Sequence, residues 1–179
     1  MKKKYPDVMI DIETLGRKPG CAVLSIGAVH FDRLTGEIGD GFFYACMGAE
    51  NAKKYGHVDD DTLAWWMSQS DPAKQDAFNG TADPLQVAQS FAEWIDGGDK
   101  VWGNGSVFDI TILEAWFDAL GVKVPWQFWN VRDVRTVIDI ADVNPKKFQR
   151  KGTYHNALDD AVFQVEYTAA AIRHLKEGI

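Results

Sequence analysis

The sequence predicts an α/β fold, a mixed sheet flanked by helices, in which an antiparallel three-stranded meander is extended by parallel strands. Two observations predict it. The N-terminal part carries three β-rich runs separated by turn signals. The chain then switches to helical periodicity interrupted by short strands, and strand–helix units of that kind build parallel pairs.

Taken in order, Val8 to Ile12 is an apolar-rich run closed by Thr14-Leu15-Gly16, a reasonable first strand. Residues 21–32 form the second, with Leu34-Thr35-Gly36 as its turn, and residues 37–47 return antiparallel as the third. Asp59, Asp60 and Asp61 cap a helix that runs into Leu63-Ala64-Trp65-Trp66-Met67. Asp71-Pro72 and Asp83-Pro84 each open a further helix, with Asp as the cap and Pro in the first helical position. The second of these ends near Ile95, at Gly97-Gly98. Lys100 to Gly103 is a short strand, residues 106–120 a helix stopped by Gly121, and residues 128–131 a brief strand. A helix near 133–141, a polar loop from Asn144 to Thr153 and a long helix over 156–176 complete the chain. No repeat, low-complexity tract or linker interrupts it, so one domain over residues 1–179 is expected.

Hydrophobic residues make up 46% of the chain and charged residues 25%, which excludes disordered and collagen-like classes. Asp7, Asp11 and Glu13 interrupt the apolar stretch that a secretory leader would need after the N-terminal lysines, and no run is long enough to span a membrane. With only Cys21 and Cys46 and no zinc-ligand spacing, a reduced, cytoplasmic protein is expected. The formal charge of −7 argues against tight non-specific binding to duplex nucleic acid. It does not argue against a phosphoesterase whose carboxylates hold divalent cations.

Three clusters carry chemistry. In Asp11-Ile12-Glu13 the alternation of a strand sends both carboxylates to one face, where they repel unless a cation lies between them. Alone, such a pair is usually a solvated edge. Asp109 lies on the apolar stripe formed by Ile112, Leu113, Trp116, Phe117 and Leu120, where a buried charge needs a partner, although a carboxylate near a helix N-terminus is also stabilised by the helix dipole. His155 ends the polar loop, and Asp160 follows in the last helix with Ala157, Ala161 and Gln164 on its own face. Asp159, about 100° round the helix, reads as solvated.

Asp11-x-Glu13, then Asp109 preceded by Asn104 and Phe108, then His155-x-Ala157-x-x-Asp160 resemble the three motifs of the DEDDh (DnaQ-like) 3′-5′ exonuclease superfamily, over roughly residues 7–170. The family pattern often has His before the Asn of the second motif, where this chain has Gly103. The resemblance implies an RNase H-like fold and hydrolysis of single-stranded DNA or RNA from a free 3′ end to nucleoside 5′-monophosphates. It also implies two divalent ions, Mg²⁺ or Mn²⁺, on Asp11, Glu13, Asp109 and Asp160, with His155 as the general base. Thr14, Leu15, Asn104 and Phe108 are carried over as substrate contacts. The Trp65-Trp66-x-x-Gln69 segment resembles a phage and bacterial branch that includes mycobacterial-type exoribonucleases, which implies a homodimer. On a helix the two indoles diverge by about 100°, so one is expected in the core, and Trp66 is assigned to stacking on a base, the alternative being that both are core. Lys146, Lys147, Arg150 and Lys151 read either as a solvated loop or as a grip on the strand's phosphates. A non-catalytic nucleic-acid-binding module on the same fold is the competing expectation.

Overall fold

The computed structural model describes residues 5–95 and 99–178. The N-terminal lysines and the Gly97-Gly98 helix stop therefore lie outside the described residues. Strands β1 (Asp7–Thr14), β2 (Val23–Phe31), β3 (Ile38–Cys46), β4 (Lys100–Gly103) and β5 (Val131–Asp133) form one five-stranded sheet in the order β3-β2-β1-β4-β5. β1 to β3 pair antiparallel, while β4 runs parallel to β1 and β5 parallel to β4. The expected meander with parallel extension is the observed sheet.

Alternation along β1 decides what each face receives. Val8, Ile10 and Ile12 point into a core shared with helices α4 (Pro84–Trp94) and α5 (Ser106–Ala119). Met9 points the other way, into a core with Phe31, Trp102 and helices α6 (Val134–Ile140) and α7 (Ala157–Glu177). Each large apolar side chain so buried contributes roughly 1.5–3 kcal/mol. Asp7, Asp11 and Glu13 share the face of Met9. Fully buried Asp7 is satisfied at once, by Trp102 Nε1 at 2.7 Å and Arg33 Nε at 2.8 Å. A third core joins Leu15, Leu24 and Trp66 to the short helices α1 (Gly48–Ala52), α2 (Asp60–Met67) and α3 (Asp71–Phe78).

Capping explains most helix starts. Asp59, Asp83, Asp133 and Asn156 accept backbone N–H groups at the heads of α2, α4, α6 and α7. Before α3 the cap is Ser70 rather than Asp71, which becomes the first helical residue because Ser70 is already extended. Residues Phe128–Asn130 form a 3₁₀ turn instead of the expected strand, and pairing with β4 begins only at Val131. α1 was not expected: five residues are too short to show a period.

Two close approaches bring the motifs together. At Gly27, the cross-strand partner of Asp11, an added Cβ would lie 2.2 Å from Ala157 C and Leu158 N. The missing side chain lets the first turn of α7 rest directly on β2. At Gly103 a Cβ would lie 3.0 Å from Asp109 Oδ2. The residue that departs from the family pattern is therefore one whose small size admits Asp109.

Candidate active site

The carboxyl ends of the parallel strands β1 and β4 point the same way, and the head of α5 follows β4 there. Clefts at the carboxyl ends of parallel strands are where open α/β sheets bind ligands. β1 delivers Asp11 and Glu13, α5 delivers Asp109 in its first turn, and α7 delivers Asp160 from its own first turn. Glu13 and Asp109 are buried, while Asp11 and Asp160 are partly so.

Electrostatics show that the four groups form one cluster. Burial pushes the Asp11 carboxyl well above its ordinary range, and the charges of Asp109, Glu13 and Asp160 add to the shift. Glu13 is raised likewise, by burial first and then by Asp160 and Asp109, with Arg150 opposing. Burial pushes Asp109 up to about 7, against backbone N–H groups of Ile12 and Asn104 that favour its ionised form. Carboxylates crowded and desolvated in this way are costly unless a cation joins them, and hard oxygen donors suit Mg²⁺ or Mn²⁺. Ligand atoms of Glu13, His155 and Asp160 lie within 4.8 Å of one another, so the donor set fits a divalent ion.

The supporting contacts give three residues roles that the sequence did not indicate. Gln164 Nε2 donates to Asp11 Oδ1 at 2.7 Å, one helical turn beyond Asp160 and across 153 residues of chain. Arg150 pairs with Asp160 instead of lying in a solvated basic loop, whereas Lys146, Lys147 and Lys151 are exposed. Asp159 is not merely solvated. Its Oδ2 accepts from Thr153 N at 2.7 Å and so ties down the loop that carries Arg150 and His155. Sequence periodicity shows that Gln164 shares a face with Asp160, but nothing local reports the Arg150 and Asp159 contacts.

A cavity of about 440 Å³ opens beside Glu13, walled by Thr14, Thr62, Trp65 and Phe108. Thr14 is buried, and its hydroxyl donates to Gly16 O at 2.6 Å. Two expected substrate contacts are corrected by burial. Leu15 has no exposed surface, and its backbone N–H and C=O are taken by Ala22 and Asp59. Trp66 is likewise fully buried, with Nε1 donating to Thr14 O at 2.8 Å, so its faces are closed to a base. The exposed indole is Trp65, at 43%, and its ring meets His155 edge-to-face at 4.9 Å. His155 has a left-handed backbone (φ 62°), and its N–H donates to Asp160 Oδ2 at 3.1 Å. Asn104 lies in the turn before α5, where its carbonyl accepts from Arg135 Nε at 3.1 Å.

The family model for the Rv2179c-like 3′-5′ exoribonuclease domain matches residues 6–172. The chain belongs to this family. It is accordingly a 3′-5′ exonuclease, and its fold is that of a DEDDh family member. Three solved structures share that fold at low identity. One is S. pombe Pop2p in its Mg²⁺ and Mn²⁺ bound form, 13% identical with a TM-score of 0.60 over 98% of this chain and 86% of that one. Another is the nuclease domain of 3′hExo, a DEDDh family member bound to rAMP, 15% identical with a TM-score of 0.56 over 99% and 96%. The third is a 3′-exonuclease recognising the 3′ end of a histone mRNA stem-loop, 15% identical with a TM-score of 0.58 over 98% and 84%. No curated protein matches the chain. DEDDh exonucleases use divalent metal ions and bind nucleic acid. Among the described residues, no helix is long and apolar enough to cross a membrane.

Proposed function

We propose that the chain, as one domain, removes nucleotides singly from the 3′ end of single-stranded RNA and releases nucleoside 5′-monophosphates. The observation that carries this reading is the meeting of Asp11, Glu13, Asp109 and Asp160 with His155, with Glu13 also lining a cavity walled by Thr14, Trp65 and Phe108. Two divalent ions held by the four carboxylates would supply positive charge to the scissile phosphate and to the leaving 3′ oxygen. His155 is the general base, since its imidazole stands beside Glu13 and Asp160 and can take the proton of the attacking water. Asp160 holds the His155 backbone through its main-chain N–H, and the Trp65 ring, edge-to-face with the imidazole, limits its swing.

The exposed face of Trp65 receives the terminal base, an interaction worth roughly 1–3 kcal/mol, and Phe108 forms the facing wall of the cavity. A cavity of this size admits one nucleotide end rather than a continuous strand, which favours removal from the terminus over internal cleavage. RNA is favoured over DNA by the family. The family resemblance alone supports a homodimer, which sedimentation equilibrium tests. Two free cysteines support a reducing compartment such as the cytoplasm.

The test is a time course on matched single-stranded RNA and DNA oligomers labelled at the 5′ end, with Mg²⁺, with EDTA and with Asp11→Ala protein. A Mg²⁺-dependent ladder shortening from the 3′ end, faster on RNA and absent in the variant, is expected. No shortening of either strand would favour a nucleic-acid-binding module instead.

A further inference from the structure

Arg150 is held inside the carboxylate cluster with its side chain only 10% exposed. One guanidinium nitrogen pairs with Asp160 Oδ1, and Nη2 donates to Thr153 O at 2.7 Å. The plane lies 4.2 Å from the Tyr154 ring and 5.4 Å from that of Phe163. The third nitrogen, Nε, is buried without a partner. Asp160 Oδ2 meanwhile accepts the His155 N–H. Both oxygens of Asp160 are thus engaged, one of them by a cation, while Asp11 is held by a neutral amide from Gln164.

The geometry points to Arg150 as a further positioning residue of the reaction centre: it stands in for a cation on Asp160 in the free protein and yields that carboxylate as a divalent ion binds. The inference rests on the proposed reading that the four carboxylates hold such an ion. Crowded anions require some positive partner, and Arg150 pairs directly with Asp160 and also acts on Glu13. A guanidinium spreads one charge over a plane, whereas a divalent ion concentrates two on hard oxygen donors, so the ion wins the exchange. Release is inexpensive, because the guanidinium keeps its face on Tyr154 and already leaves one donor unused. Asp159 anchors Thr153, so the loop itself need not unfold.

A purely structural arginine and a stand-in cation predict opposite signs for metal affinity. Calorimetric titration with Mn²⁺ compares wild type, Arg150→Met, which keeps the unbranched packing against Tyr154, and Arg150→Lys, which keeps the charge. Arg150→Met is expected to bind about tenfold more tightly than wild type. It should melt lower than wild type in EDTA and recover with metal, while Arg150→Lys stays near wild type. Equal or weaker binding by Arg150→Met, with normal binding by wild type, overturns the inference alone. Absence of any divalent binding by wild type overturns the metal reading and this inference with it. Should Arg150→Met not fold, the wild-type protein decides. In ¹⁵N-arginine-labelled protein, assigned through Arg150→Lys, the Arg150 guanidinium signal should move on Mg²⁺ titration, and a signal unchanged at saturation overturns the proposal.

Discussion

Gly27→Ala is the substitution that most directly tests how the site is assembled. The added methyl would stand 2.2 Å from Ala157 C and Leu158 N and 2.5 Å from Ala157 O, all backbone atoms of α7 that cannot rotate away. Ordinary contact begins at 3.4 Å, so the first turn of α7 must retreat by about 1 Å. Asp160 rides on the same turn. A shift of that size along the helix would stretch the 2.7 Å hydrogen bond from Gln164 to Asp11 beyond useful length. The overpacking costs about 1–3 kcal/mol of stability. Activity suffers more, because about 1 Å of misplacement at a reacting centre costs on the order of 100-fold in rate. The assay pairs thermal melting with single-turnover hydrolysis of a labelled RNA. Gly121→Ala is the control: it has open space around its Cβ, so its φ of 66° costs stability but leaves the site untouched. Wild-type hydrolysis by Gly27→Ala, at a wild-type melting temperature, would refute the claim that this approach sets the position of Asp160.

In EDTA, stability should fall as pH rises from about 5 to about 8. Asp11, Glu13 and Asp109 have raised folded-state values, so the folded protein binds more protons than the unfolded chain, and that advantage is lost as pH climbs through about 7 for Asp109. Melting curves across this range should slope downward without metal and flatten with Mg²⁺, and a flat EDTA profile would contradict the clustering. Asp109→Asn should raise the melting temperature in EDTA at pH 8, by about 1–2 kcal/mol of stability, while abolishing hydrolysis. A destabilised Asp109→Asn would mean that the ionised carboxylate serves the fold. Trp65→Ala should leave melting nearly unchanged and raise KM about 5- to 100-fold, whereas Trp66→Ala should cost about 3–5 kcal/mol of stability. The reverse pattern would restore Trp66 as the stacking residue.

The five motif residues were legible because each is short-range. Asp11 and Glu13 follow from strand alternation, Asp109 from its position on an apolar stripe, and His155 with Asp160 from the loop-to-helix junction. The meander was legible too, since turn signals separate its strands. The supporting contacts were not, because each joins distant segments whose pairing only the folded sheet decides. Gln164 lies 153 residues from Asp11, and Gly27 reads as an ordinary strand glycine until α7 is laid across it. The choice between Trp65 and Trp66 failed for a related reason. A helical wheel separates the two rings, but the Thr14 carbonyl that captures the Trp66 indole belongs to another element. The closing of Leu15 was not legible either, because the partners of its backbone, Ala22 and Asp59, lie in other segments.

The same contacts explain why a cluster of four carboxylates can be built into a core at all. Nothing in apolar packing favours Asp11, Glu13 and Asp109 in the interior, and their mutual repulsion works against folding. Three of the four are offset by different devices, a side-chain amide on Asp11, backbone N–H groups on Asp109 and a guanidinium on Asp160, and Glu13 shares the charge of that same guanidinium. Amides and N–H groups can remain in position when a metal ion arrives, because they hydrogen-bond without adding a full positive charge. A guanidinium cannot do so without repelling the ion. If the four carboxylates hold metal as proposed, the asymmetry makes Asp160 the ligand whose availability depends on a neighbour, and metal affinity should then answer to the sequence of the loop between Asn144 and His155 more than to the sheet.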